Sequence, residues 1–364
     1  MLTLAHFLQV LGSDEAIGRE PAPGLNDVAV TNVVTDSRDA VPGSLFVALP
    51  GEKVDGHDYV AAAFERGAVA ALVERPIGDY TIIDLRRNQT TKVLETFVVS
   101  TPLCLWVDDA LAALQATAQA WREKFSPRII GITGSVGKTS TKELVYSVLA
   151  QRYCTLKSPG NKNSIIGLPP VLFDLRPEHE RAVFEMSMYV TGEIAKLCEL
   201  APPQVAVYTI IGPVHLERAG SMEAILAAKR ELIEALPGDG VAILNKDDER
   251  VMSMADHTDA TIFTYGLDQT ADLWADNIHS VGLNGMQFTL HYEGETLHVT
   301  VPLIGRHSVH TALRATAVGL VEGLRWDEII AGLQATTSAQ LRLVATPGPK
   351  GSIIIDDTYN ASPD

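Results

Sequence analysis

At 364 residues, with 46% hydrophobic and 20% charged positions, the chain has ordinary globular composition and enough apolar material for two or three cores. Lys and Arg number 29 against 45 Asp and Glu, a net charge of −16. That balance argues against broad nucleic-acid or anionic-membrane binding, but leaves room for a local phosphate site built from backbone amides. Cys104, Cys154 and Cys198 are scattered, lack metal spacing and fit a reducing compartment.

The opening MLTLAHFLQVLGSDEA has no basic leader and reads as an amphipathic helix. No apolar run is long enough to span a bilayer, so a cytoplasmic protein without membrane insertion is expected. Residues 1–125 mix short strands and helices, punctuated by Pro42-Gly43, Pro50-Gly51 and Asp55-Gly56. A helical stretch from Asp108 to Phe125 closes that region, and Ser126-Pro127 predicts a linker.

From Arg128 the pattern changes. RIIGI, AVFEM, VAVYTII and VAILN are short apolar runs separated by helical segments, which predicts a doubly wound, mostly parallel sheet across residues 126–340. MQFTLHYEGETLHVTVPL alternates around a Glu-Gly turn and predicts an antiparallel hairpin at the sheet's edge. Helices from about residue 308 to 334 close the region. Within 341–364 only SIIIDD reads as a strand, without partner or following helix, so a third domain is expected to begin and be cut off there.

GITGSVGKTST, Gly131 to Thr141, carries the strongest chemistry. A strand runs into a glycine-rich turn and a helix begins near Lys138. Gly134, Ser135, Val136 and Gly137 let backbone approach phosphate oxygens, Lys138 offers charge to the β/γ-phosphates, and Thr139, followed by Ser140, offers a hydroxyl to Mg²⁺. The spacing departs from GxxxxGK[ST], because Ile132 stands where the first glycine belongs. A chance lysine in a glycine-rich turn is the alternative; ATP and Mg²⁺ are the expectation.

Ligands of open α/β sheets bind beyond the carboxyl ends of the strands. Glu185 ends AVFEM, His215 follows VAVYTII, and Asn245 ends VAILN. If the strands are parallel, these three share the phosphate-loop edge, where a carboxylate and an imidazole suit Mg²⁺. Lys229 lies four residues after Ile225 and four before Ile233, on the apolar face of a helix spanning Ser221–Leu236. Such a lysine snorkels, finds a partner, or loses its proton and takes up CO₂ as a carbamate that supports the metal.

The ordered series TGSVGKTSTKE, SPGNKNSIIGLP, EMSMYVTGEIAKL, HLERAGSMEAILAAKRELI and LNKDDERV resembles the Mur ligase family over nearly the whole chain. TDSRDAVPGSLFVALPGEKVDGHDYV resembles that family's uridine-nucleotide-binding α/β domain, and LRLVATPGPKGSIIIDDTYNASPD the start of its third, Rossmann-like domain. The resemblance implies ATP-dependent amide formation through an acyl phosphate. It points to the members that add D-alanyl-D-alanine to UDP-N-acetylmuramoyl-tripeptide; third-residue-adding members and a non-catalytic nucleotide-binding relative are the alternatives. It implies that Lys138 and Thr139 hold phosphate and Mg²⁺, that Glu185, His215 and a carbamylated Lys229 surround the metal, and that Asn163 faces substrate. By the same likeness Asn245, Asp248 and Asp357 lie near the nucleotide, Arg342 reaches its phosphates, and Ser37 and Arg38 lie near the uridine nucleotide. A monomer is expected. Ser308 and Thr311 depart from it, replacing two asparagines usual in GxHNxxN, and Ser187 replaces a glycine. A fragment without the third domain is expected to complete turnover poorly.

Overall fold

The computed structural model describes residues 1–12, 27–51, 53–86, 101–213, 220–335 and 344–358. The chain forms two compact units, one of residues 1–126 with 165–176, the other of 127–164 with 177–364. Among the described residues no helix is long and apolar enough to cross a membrane.

The first unit holds a five-stranded parallel sheet. Its strands are β1 (Val33–Val34), β2 (Leu45–Val47), β3 (Ala70–Val73), β4 (Thr81–Asp84) and β5 (Leu103–Trp106), in the order β1-β2-β3-β5-β4. β2 and β3 are buried throughout, the pattern of strands covered on both faces. The helix Ala110–Arg122 starts where the Asp109 carboxylate accepts from the Ala112 amide, 2.8 Å. A single cut near residue 125 leaves out the return of residues 165–176. That segment buries Leu168, Val171, Leu172 and Phe173, sets Phe173 5.4 Å from the Phe7 ring, and accepts the Trp121 indole at the Leu175 carbonyl, 3.3 Å.

The second unit is built on nine strands: β6 (Arg128–Thr133), β7 (Thr155–Lys157), β8 (Arg181–Glu185), β9 (Val205–Tyr208), β10 (Val241–Asn245), β11 (Thr261–Gly266), β12 (Leu273–Ser280), β13 (Met286–Tyr292) and β14 (Glu295–Val301). Their order is β14-β13-β12-β11-β10-β9-β6-β8-β7. β6 to β12 run parallel; β13 and β14 form the expected antiparallel hairpin at the edge. β11 and β12 lack the apolar signature of the others, because TIFTYG and LWADNIHS mix polar residues into half-exposed strands. On one face Ile130, Ile132, Val183, Val205 and Val207 form a core with Leu144 and Val148 of the Lys138–Leu149 helix and with Val309, Leu313 and Val318 of the His307–Val321 helix. Gly131 alternates to the other face, where a Cβ would meet Leu232 of the Met222–Glu234 helix at 2.9 Å. The sheet is thus wound on both sides.

SIIIDD does have a partner. Ile353–Asp356 (β16) pairs antiparallel with Val344–Pro347 (β15), the turn being made at Pro349–Gly351. The pairing strand gives little signal in the sequence, because VATP is four residues long and ends in proline.

Candidate nucleotide site

The phosphate loop is a strand-to-helix turn whose backbone only glycine can follow. Gly134 has φ +139°, and a Cβ there would lie 1.9 Å from Thr209 Oγ1; Gly137 has φ +85° and caps the helix that begins at Lys138. The loop is tied to the segment after β9. The Ser135 amide donates to the Ile210 carbonyl at 2.7 Å, and Ser135 Oγ donates to the Gly212 carbonyl and accepts from its amide, both at 2.9 Å. Val136 is exposed at the tip, and Ser140 is half-buried in the first helical turn. Lys138 Nζ folds back to the Gly134 and Ser135 carbonyls at 2.9 and 3.0 Å.

Glu185, at the carboxyl end of β8 beside β6, is 3% exposed. Its Oε2 accepts from Thr139 Oγ1 at 2.9 Å and its Oε1 from Asn163 Nδ2 at 2.8 Å. Both donors are neutral. A buried anion joined to a hydroxyl at the helix start suits Mg²⁺, a hard cation that takes few protein oxygens and fills its shell with water and phosphate. Among the described residues no group of three or more His, Cys, Asp or Glu could hold a metal.

Lys229 completes this rim. Its helix starts at Ser221, whose hydroxyl accepts from the Ala224 amide at 3.1 Å, and the Tyr208 hydroxyl pins the helix to β9 by donating to the Lys229 carbonyl at 2.7 Å. The lysine is 2% exposed and its Nζ donates to the Gly134 carbonyl at 2.8 Å. Burial, then the neighbouring charge of Lys138, pulls its pKa from the ordinary 10.5 down to about 7.

A cleft of about 630 Å³ adjoins the loop, lined by Ile210–Pro213, Asn245, Asp247–Arg250 and His310. Asn245 Nδ2 donates to the Thr209 carbonyl at 3.2 Å, and Asp248 accepts from the Ile211 amide at 2.8 Å. His310 reaches Asp247 at 2.7 Å. Ser308 and Thr311 face inward: Ser308 Oγ donates to the Ile304 carbonyl and Thr311 Oγ1 accepts from Arg314 Nη2, each at 2.9 Å.

The structure therefore brings together Gly134, Ser135, Gly137, Lys138, Thr139, Asn163, Glu185 and Lys229, with Asn245 along the adjoining cleft. His215 and Arg342 lie outside the described residues. Asp357 is exposed just after β16; its charge acts on His307, and it is absent from the cleft wall. Ser37 and Arg38 belong to the first unit, where Ser37 is buried and the exposed Arg38 donates through Nε to Asp36 at 2.9 Å. Asp247, Arg250 and His310 join the site from the structure alone, since a charge on a helix or turn usually marks only a solvated face.

A glycine-rich turn between a parallel strand and a helix, with a hydroxyl, a carboxylate and a buried amine around it, defines a P-loop α/β nucleotide-binding protein. The chain belongs to the Mur ligase family: residues 132–319 match the Mur ligase middle domain, and residues 29–97 match the Mur ligase family catalytic domain. A UDP-N-acetylmuramoyl-tripeptide–D-alanyl-D-alanine ligase of Mycobacterium bovis is 35% identical over 367 residues, spanning 100% of this chain and 71% of the relative. A crystal structure of MurF from Acinetobacter baumannii, 30% identical, superposes with a TM-score of 0.80 over 99% of this chain and 74% of its own. MurF of Thermotoga maritima, solved in complex with ADP, is 27% identical, with a TM-score of 0.74 over 93% and 73% of the two chains.

Proposed function

We propose that this Mur ligase joins D-alanyl-D-alanine to UDP-N-acetylmuramoyl-tripeptide at the expense of ATP, in peptidoglycan precursor synthesis in the cytoplasm, as a monomer. The observation that carries this reading is the convergence of Lys138, Lys229 and the Thr139–Glu185 pair on one phosphate loop, in a chain matched from end to end by a relative of that activity.

The tripeptide's terminal carboxylate oxygen attacks the γ-phosphorus, the bond to the β-phosphate oxygen breaks, and ADP leaves. The dipeptide amine then attacks the acyl carbon, loses a proton, and the tetrahedral intermediate expels phosphate as the amide forms. The chain's part is positioning and charge. Loop amides and Lys138 hold the phosphates. Thr139 and Glu185 would hold Mg²⁺, with Asn163 fixing the carboxylate's orientation. Mg²⁺ neutralises charge on the phosphate oxygens when bound. Lys229 is in part unprotonated at neutral pH; its nitrogen would add to CO₂ and release a proton, and the resulting carbamate would supply an anion to support Mg²⁺. His215 and Arg342 are assigned to the metal and the phosphates by likeness to the family, Asp357 to the nucleotide, and Ser37 and Arg38 to the uridine nucleotide.

The test is phosphate release by the protein expressed from its whole reading frame with Mg-ATP, UDP-N-acetylmuramoyl-tripeptide and D-alanyl-D-alanine. Release that needs both substrates is expected. Release with UDP-N-acetylmuramoyl-dipeptide and a single amino acid instead would assign it to a third-residue-adding ligase. ATP binding without acyl phosphate would make it a non-catalytic relative.

A further inference from the structure

Arg314 is 4% exposed, on the His307–Val321 helix packed against the phosphate-loop helix. A guanidinium stays charged at any working pH, so its burial calls for an anion. None is in place. Nη2 donates to the Thr311 hydroxyl at 2.9 Å and Nη1 to the Tyr265 hydroxyl at 3.2 Å, while Nε, fully buried, has no hydrogen-bond partner. Among the described residues no carboxylate pairs with it. Tyr265 in turn donates to the Tyr208 carbonyl at 2.7 Å, so the partners holding the guanidinium are neutral and fixed.

The location is specific. Nη2 lies 3.4 Å from where a Cβ on Gly137 would stand, at the turn that caps the Lys138 helix. Loop amides and the helix N-terminus already favour an anion at that turn.

We propose that Arg314 is the second fixed cation of the phosphate site: a charge held beside Gly137 whose counter-ion is the bound nucleotide's polyphosphate. Arg314 is a positioning residue, acting through Gly137 and the loop amides. Thr311 has a matching task, since its hydroxyl accepts from the guanidinium where an asparagine amide would also present donors. Among the described residues the charge is uncompensated, and nucleotide binding relieves it. This inference rests on the ATP reading above.

The experiment compares wild type, Arg314→Met and Arg314→Lys by Mg-ADP titration and by thermal unfolding of the nucleotide-free protein. Wild type must bind Mg-ADP; if it does not, the ATP reading itself fails. Given binding, Arg314→Met should weaken Mg-ADP about 10-fold or more, about 1.4 kcal/mol. Its nucleotide-free melting temperature should stay level or rise, because the unpaired charge is gone. Arg314→Lys should keep part of the affinity. Unchanged Mg-ADP affinity in Arg314→Met overturns the proposal. So does a lowered melting temperature or failure to fold, which would make the arginine a packing element.

Discussion

The Lys229 side-chain nitrogen lies 2.8 Å from the carbonyl of Gly134, the residue at which the phosphate loop leaves its strand. One helix on the far side of the sheet thus delivers an amine into the backbone of the loop. Lys138 Nζ reaches the same carbonyl at 2.9 Å, so two amines share one acceptor. Burial, and after it the nearby charge of Lys138, disfavours the charged form of Lys229 and pulls its pKa down to about 7.

Lys229→Ala should lose acyl phosphate formation, with short carboxylic acids restoring part of it by occupying the vacated anion position. Wild-type rates in that variant would remove the carbamate. Stability supplies an independent check. The folded lysine releases its proton near pH 7 and the unfolded one near 10.5, so between these values the unfolded state binds more protons and wild-type stability rises with pH. Below about pH 7 the full penalty applies, about 1.4 kcal/mol for each pH unit that separates the two values. Lys229→Met should therefore be more stable than wild type in acid, with the gap closing towards pH 10; urea unfolding across that range measures it.

Lys138→Ala should lower ATP affinity roughly 10- to 100-fold, the worth of a charged hydrogen bond to phosphate. Because Lys138 is the second cause of the depressed Lys229 pKa, the same change should raise that pKa. Titration of ATP, and of ¹⁵N-labelled Lys229 by NMR, read the two effects separately.

Gly134→Ala tests the close approach. Its φ of +139° is unfavourable for alanine, and the new methyl would stand 1.9 Å from Thr209 Oγ1. Destabilisation of about 1–3 kcal/mol is expected, with loss of nucleotide binding. Thr209→Ala in the same chain should return part of the stability by removing the hydroxyl, leaving the backbone strain. Additive effects of the two changes would contradict the contact.

What the sequence reveals is uneven for physical reasons. RIIGI, AVFEM, VAVYTII and VAILN are legible because parallel strands covered on both faces are continuous apolar runs. Lys229 is legible because helical spacing places it between Ile225 and Ile233, and both are buried. The cleft residues Asp247, Arg250 and His310 carry no such pattern: they meet only through the sheet order, which local sequence does not encode. Arg314 is hidden likewise. Its helix buries residues on several sides, including Ser308, Thr311 and Thr316, so a single arginine there breaks no visible stripe. The return of residues 165–176 to the first unit is equally hidden, because Leu168, Val171 and Leu172 are buried in a unit whose other residues end at 126, a distance along the chain that local pattern does not reveal.

The β15–β16 hairpin has a practical consequence. Ile353, Ile354 and Ile355 are each 51–53% exposed, so three neighbouring isoleucines meet solvent on both sides of a two-stranded ribbon. Apolar side chains on both faces are the pattern of strands that pack on both sides. In the protein expressed from its whole reading frame, Ile354→Lys should therefore lower the melting temperature; an unchanged value would show that these isoleucines stay in solvent.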